Sequence, residues 1–187
     1  MSAPQVLYFT DDDAANRLIA ADDLALLVGI VLYQQVPTEK AFSGPLVLRE
    51  RLGGPFDATR IAEMDPDALE AVFRERPALH RFPAAMAKRV QAVCRHLVDH
   101  HGGRVAGLWE GAADAHEVMG RLTAMPGFGD YKARIYLGVL AERFGVRPAG
   151  WEEHLPDWPS IVDISGAGDL QELKERKKAW KAAGGRE

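Results

Sequence analysis

At 187 residues the chain is of single-domain size, long enough to bury roughly 70% of the surface its unfolded form exposes. Its one cysteine, Cys94, excludes internal disulfides, cysteine-ligated zinc and iron–sulfur clusters, and is read as a small apolar core group. A net charge of −4 argues against a protein that coats nucleic acid over its whole surface, which needs many Lys and Arg contacts to phosphate, yet leaves room for a local basic face.

The chain opens on "QVLYF", residues 5–9, a short extended segment, and then an acidic cluster of Asp11, Asp12, Asp13, Asp22 and Asp23. The start lacks a charged-then-apolar leader and no apolar run nears the ~20 residues that span a bilayer, so a cytoplasmic location is expected. Leu24, Leu27, Val28, Val31 and Leu32 repeat with helical spacing behind Asp22 or Asp23 as N-cap. A second helix covers Val47 to Leu52 and begins near Thr38, where "PTEK" supplies a proline break and a capping hydroxyl. "MDPDALEAVFRE" carries the start signal of Asp65 followed by Pro66. Met86, Val90, Val93 and Leu97 mark a helix stopped by Gly102-Gly103. Val118, Leu122 and Met125 mark another, and Tyr136, Val139, Leu140 and Phe144 one that ends at Gly145. "SIVDI", residues 160–164, is a second short extended candidate. In the last stretch Lys174, Lys177, Lys178 and Lys181 fall at i, i+3, i+4 and i+7, one stripe of a helix whose plain reading is solvated. The expected class is mostly α.

Between two of these helices stands "LTAMPGFGDYKARIYLGVL", residues 122–140. Pro126 bars the residue before it from helical angles. Gly127 and Gly129 carry no Cβ, so backbone amides there can approach another surface closely. Those amides lie where the next helix starts, and unpaired N–H groups with the positive dipole end favour an anion. A compact helix–helix turn is the alternative reading; Lys132, Arg134 and Arg143, on the helix that follows, weigh toward phosphate.

The same stretch resembles the helix–hairpin–helix element of the base-excision DNA glycosylases named for that element plus a Gly/Pro-rich loop and an Asp, the endonuclease III-like superfamily. "LVGIVLYQQVPTEKA" is similar to that superfamily's early helix ending in a glutamine pair, and precedes the hairpin at the expected separation. The resemblance implies a two-lobed helical bundle forming a single domain over 1–187, with a central bundle over 22–125, the hairpin unit over 114–145, and a C-terminal segment over 146–187 packing on the second lobe. It implies a DNA glycosylase of base excision repair, monomeric and nucleoid-associated, whose partner is double-stranded DNA with a damaged or mismatched base. The alternative is a non-catalytic DNA-binding protein that retains the hairpin.

Residue by residue, the resemblance makes Gly127, Phe128, Gly129, Lys132 and Arg134 the DNA-binding set, with a monovalent cation at the hairpin carbonyls and no other cofactor. It makes Gln34 and Gln35 candidates to fill the gap left by an extruded nucleotide. Where strand-cutting relatives carry a Schiff-base lysine, this chain has Tyr131, which implies a glycosylase without lyase activity and a tyrosine lining the base pocket; half-buried packing is its alternative. The family's Asp position falls on Ala149, Gly150 or Trp151, none of them acidic. Glu152 in "WEEHLPDW", followed by Asp163, are the nearest substitutes for a catalytic acid, and a solvated carboxylate is the plain reading of each. His96 and His100 lie one turn apart without a third ligand. Trp109, Trp151, Trp158 and Trp180 are expected in packing, with Trp151 or Trp158 candidates for the pocket border.

Overall fold

In the computed structural model, which describes residues 4–185, the chain is mostly helical. Met1 to Ala3 of the opening segment and Arg186-Glu187 of the C-terminal one lie outside the described residues. The helices are α1 (Asp13–Ala21), α2 (Asp23–Leu32), α3 (Thr38–Leu52), α4 (Ala58–Glu63), α5 (Pro66–Arg74), α6 (Pro83–His101), α7 (Ala115–Thr123), α8 (Asp130–Phe144) and α9 (Asp169–Ala182). Short 3₁₀ turns cover Val105–Leu108, Trp151–His154 and Ile161–Asp163, and no strand occurs among the described residues.

Much of the acidic composition is spent on helix starts. Asp12, Asp22, Asp57, Asp65 and Asp114 each accept a first-turn amide, at α1, α2, α4, α5 and α7. Such a cap stabilises a helix by about 1 kcal/mol over alanine. Gly102 and Gly145 end α6 and α8 in the left-handed conformation, as the sequence leads one to expect.

Helix α2 is buried from Leu24 to Leu32, and an all-apolar helix of this kind belongs at the centre of the molecule. It packs against α1 and α3 and touches α6 and α8. The approach to α3 is close: a Cβ at Gly29 would stand 2.6 Å from Cδ1 of Phe42. Helices α4 and α5 cover α6, α7 lies on α8, and the Trp151–His154 and Ile161–Asp163 turns also pack on α8. Helix α9 rests on the Ile161–Asp163 turn and is anchored by Leu170 and Leu173 alone among its buried residues. Cys94 is fully buried in the core, where desolvation pushes its thiol up to about 12. Among the described residues no helix is long and apolar enough to cross a membrane.

Three local expectations are corrected. "QVLYF" finds no partner strand; the Phe9 and Thr10 amides instead donate to Oδ1 of the buried Asn16, whose Nδ2 returns a bond to the Thr10 carbonyl. "SIVDI" winds into a 3₁₀ turn because Ser160 and Asp163 form a reciprocal capping box across it. Thr38 is the first residue of α3 rather than its cap; Pro37 holds the cap position without a side-chain bond, and the Thr38 hydroxyl lies 3.4 Å from that of Tyr33. Helices α1 and α4 are additional to the elements expected from periodicity.

Candidate functional site

The turn between α7 and α8 places its backbone at the surface and its one large side chain inside. Pro126, Gly127, Gly129 and Asp130 are exposed, while Phe128 is 3% exposed, with its ring against the edge of Tyr136 at 6.2 Å. Phe128 thus anchors the turn, its amide donating to the Met125 carbonyl at 3.1 Å, and its side chain is withheld from any ligand. Helix α8 starts on Gly129 with no side-chain cap, and the Gly127 and Gly129 amides make no hydrogen bond among the described residues. These donors are open to an outside acceptor.

The two glycines differ. Gly127 has φ +72°, and an added Cβ would fall 2.5 Å from Nε of Arg89. Gly129 has φ −84°, allowed for any residue, and a Cβ there would meet nothing within 4 Å.

Lys132 points inward from the first turn of α8. Its Nζ donates to the Val31 carbonyl at 2.9 Å and to Oε1 of Gln34 at 3.0 Å, and Arg89 Nη1 donates to the same Oε1 at 2.7 Å. Burial, helped by the charge of Arg89, lowers the Lys132 amine to about 8. The Gln34 Nε2 lies 3.4 Å from the Met86 sulfur. Its backbone carbonyl is held by His80 Nε2 at 3.0 Å; since His80 Nδ1 accepts from the Phe82 amide, the proton resides on Nε2. His80 is 1% exposed, and desolvation holds it below its ordinary value, so the ring stays neutral. Gln34 is therefore locked in place.

Gln35 is not. It is exposed and adopts φ +53°, a left-handed conformation seldom taken by a non-glycine residue, and such strain persists only where the surroundings impose it.

Next to this loop opens a cavity of about 670 Å³, within the range of ligand pockets. Tyr33, Gln34, Gln35, Glu39 and Tyr131 line it together with Lys174, Lys177, Lys178 and Lys181 of α9. The lysine stripe legible in the sequence thus faces the glutamine pair. Lys174 pairs with Glu39, and Lys177 bonds to the Tyr33 hydroxyl with its ammonium 4.9 Å from that ring's centre. Glu39 is the one carboxylate in the lining; its Oε2 is buried without a hydrogen-bond partner among the described residues. Tyr131 is half-buried and stacks on Trp158, with ring centroids 5.0 Å apart and planes 11° from parallel.

The remaining expected site residues lie elsewhere. Arg134 donates to the carbonyls of His154 and Leu155, at 3.1 and 2.6 Å, and covers Trp158, so its guanidinium fastens the C-terminal segment to α8. Glu152 is exposed on the Trp151–His154 turn and Asp163 is engaged in the capping box; neither lines the cavity. Asp163 also pairs with Arg176 at 3.4 Å, and Arg176 stands about 200° around α9 from Lys174, on a flank turned from the cavity. His96 and His100 have ring centroids 4.5 Å apart, and no group of three metal-ligating side chains occurs among the described residues. Glu39 and the lysine wall were missed in the sequence, although the period of the wall was visible. No family model, no curated protein and no solved structure matches the chain.

Proposed function

We propose that the protein is a DNA glycosylase of base excision repair that hydrolyses the N-glycosidic bond of a damaged or mispaired base, without a lyase step. One observation carries the reading: Tyr131 lies two residues past Gly129, whose amide is open, and also lines the cavity beside Gln35. A strand phosphate held at the start of α8 delivers its nucleotide to that cavity, where Tyr131 offers a stacking face and Gln35 fills the vacated duplex. The tyrosine in place of a lysine supports hydrolysis over Schiff-base chemistry, because no primary amine stands at that position.

The reaction needs water alone. The bond between C1′ and the base nitrogen breaks with its electron pair leaving on the base; the water oxygen adds to C1′ and gives up a proton to a carboxylate. Its position in the cavity favours Glu39 for that role over Glu152 and Asp163. A monovalent cation at the hairpin carbonyls belongs to the same reading, as does a monomer acting on duplex DNA in the cytoplasm. The absence of both expected acids from the cavity favours a second reading, a non-catalytic binder of damaged or distorted duplex that kept the hairpin.

Duplexes carrying uracil, 8-oxoguanine, alkylated purines or mismatches, treated with alkali after incubation, separate the two. Release from at least one, lost in Glu39→Gln with binding retained, is expected of the enzyme. Salt-sensitive binding with no release across the panel would establish the second reading. The hairpin is tested by Gly129→Val, whose Cβ meets no neighbour within 4 Å and which is expected to keep the helical CD spectrum while weakening abasic-duplex binding about tenfold through loss of backbone approach. Unchanged affinity would remove the hairpin from the interface.

A further inference from the structure

The protein carries a net charge of −4, yet the cavity beside the glutamine loop is lined by four lysines and a single carboxylate. That local excess is placed rather than scattered. Lys174, Lys177, Lys178 and Lys181 share one face of α9; Lys174 pairs with Glu39, and Lys177 meets both the hydroxyl and the ring of Tyr33. Lys178 and Lys181 are exposed and continue the row along the helix. The opposite wall is polar and aromatic, from Tyr33, Gln34, Gln35 and Tyr131. A cation pair alone would not need this row. Like charges at i, i+3 and i+4 repel, and leaving them on one face is unfavourable unless anions join them.

We propose that the α9 lysines form a second phosphate clamp: Lys178 and Lys181 bind the backbone phosphates flanking the nucleotide seated in the cavity, while the α8 amides hold the phosphate on the hairpin side. The inference rests on the DNA reading above and extends it to α9. It makes the cavity a slot between two phosphate contacts, open to a strand whose nucleotide is extruded and not to a regular duplex. Lys174 and Lys177, which meet Glu39 and Tyr33, complete the row.

The test is a fluorescence anisotropy titration of two duplexes of the same sequence, one intact and one with a tetrahydrofuran abasic-site analogue, from about 50 to about 200 mM salt. In Lys178→Ala/Lys181→Ala both changes are at exposed helix positions, where alanine keeps α9 intact. For the abasic duplex the slope of log affinity against log salt is expected to become shallower by about 1.5, and affinity near 100 mM salt to fall at least about tenfold. The intact duplex is expected to lose less than roughly threefold. An unchanged slope in the double variant, alongside a loss in Gly129→Val, would overturn the α9 clamp and leave the hairpin reading standing. Equal losses on both duplexes would also overturn it, since a general basic face does not distinguish them. A wild-type protein with no salt-dependent affinity for either duplex would bring down the DNA reading and the clamp with it.

Discussion

At the scale of single residues, the site is organised by a buried amine. Lys132 supplies a donor to the Val31 carbonyl at the end of α2 and another to Gln34, and so ties the glutamine loop to the first turn of α8. Its cost and its benefit have different pH dependences. Below pH 8 the amine is protonated in folded and unfolded chains alike, and the folded state bears the full desolvation of the charge. Between about 8 and the ordinary 10.5 the folded protein has shed its proton while the unfolded chain retains it, so stability gains with pH across that window. Cys94 and Tyr136, both held above their ordinary values by burial, lose stability as pH rises, so the lysine's effect is read as a difference between proteins. Lys132→Met is expected to be about 1–2 kcal/mol less stable at pH 7, having stranded the Val31 carbonyl, and the gap to wild type should widen from pH 8 to 10 in thermal melts. A gap that stays flat would mean the amine is not the titrating group.

Among the elements, α8 is the hub, with α7 and both 3₁₀ turns of the C-terminal segment packed on it. Its closest contact is at Gly138, where a Cβ would meet Val162 Cγ2 at 2.7 Å and Leu155 Cδ2 at 3.3 Å. Gly138→Ala is therefore expected to destabilise the protein by about 1–3 kcal/mol despite alanine's better helix propensity, because overpacking outweighs the ~1 kcal/mol gained in the helix. A chemical denaturation series measures it, and a stabilised variant would contradict the packing. Helices such as α5 and α6 were legible because their signals are local: Asp65-Pro66 starts one and Gly102 stops the other. Helix α1 was missed although Ala15, Leu18 and Ile19 share one face behind the Asp12 cap, because that stripe is only about two turns long and the polar Asn16 is buried with it. For "SIVDI" the residue types suggested strand, but a capping box between Ser160 and Asp163 outweighed that preference. The candidate site was half legible. Gly127, Gly129, Tyr131 and the glutamines lie in two contiguous motifs, whereas Glu39 and the lysine wall become a site only when α9 docks across from α3, a juxtaposition without a local signature. Arg134 was read as a DNA contact because its charge was visible and the carbonyls of His154 and Leu155 that consume it were not.

For the whole molecule, the separation of buried from basic surface sets where motion is allowed. Helix α2 is buried from Leu24 to Leu32 and α8 from Lys132 to Ala141 with one half-buried exception at Arg134, so opening either one exposes the central core. Helix α9 places only Leu170 and Leu173 inside, and its remaining contacts include the Lys174–Glu39 and Arg176–Asp163 ion pairs. Local opening free energy follows the apolar surface exposed, so α9 is expected to open more readily than α2 or α8. On the DNA reading proposed above, a wall that swings away would admit a nucleotide that a rigid one excludes, and a bound strand would hold the wall shut. Amide hydrogen exchange is expected to show α9 roughly a hundredfold less protected than α2 and α8 in the free protein, with the difference narrowing when an abasic duplex is added and not when an intact one is. Were α9 to exchange as slowly as α2 in the free protein, the wall would be fixed, and a nucleotide would have to enter past Gln35 and Tyr131 without it.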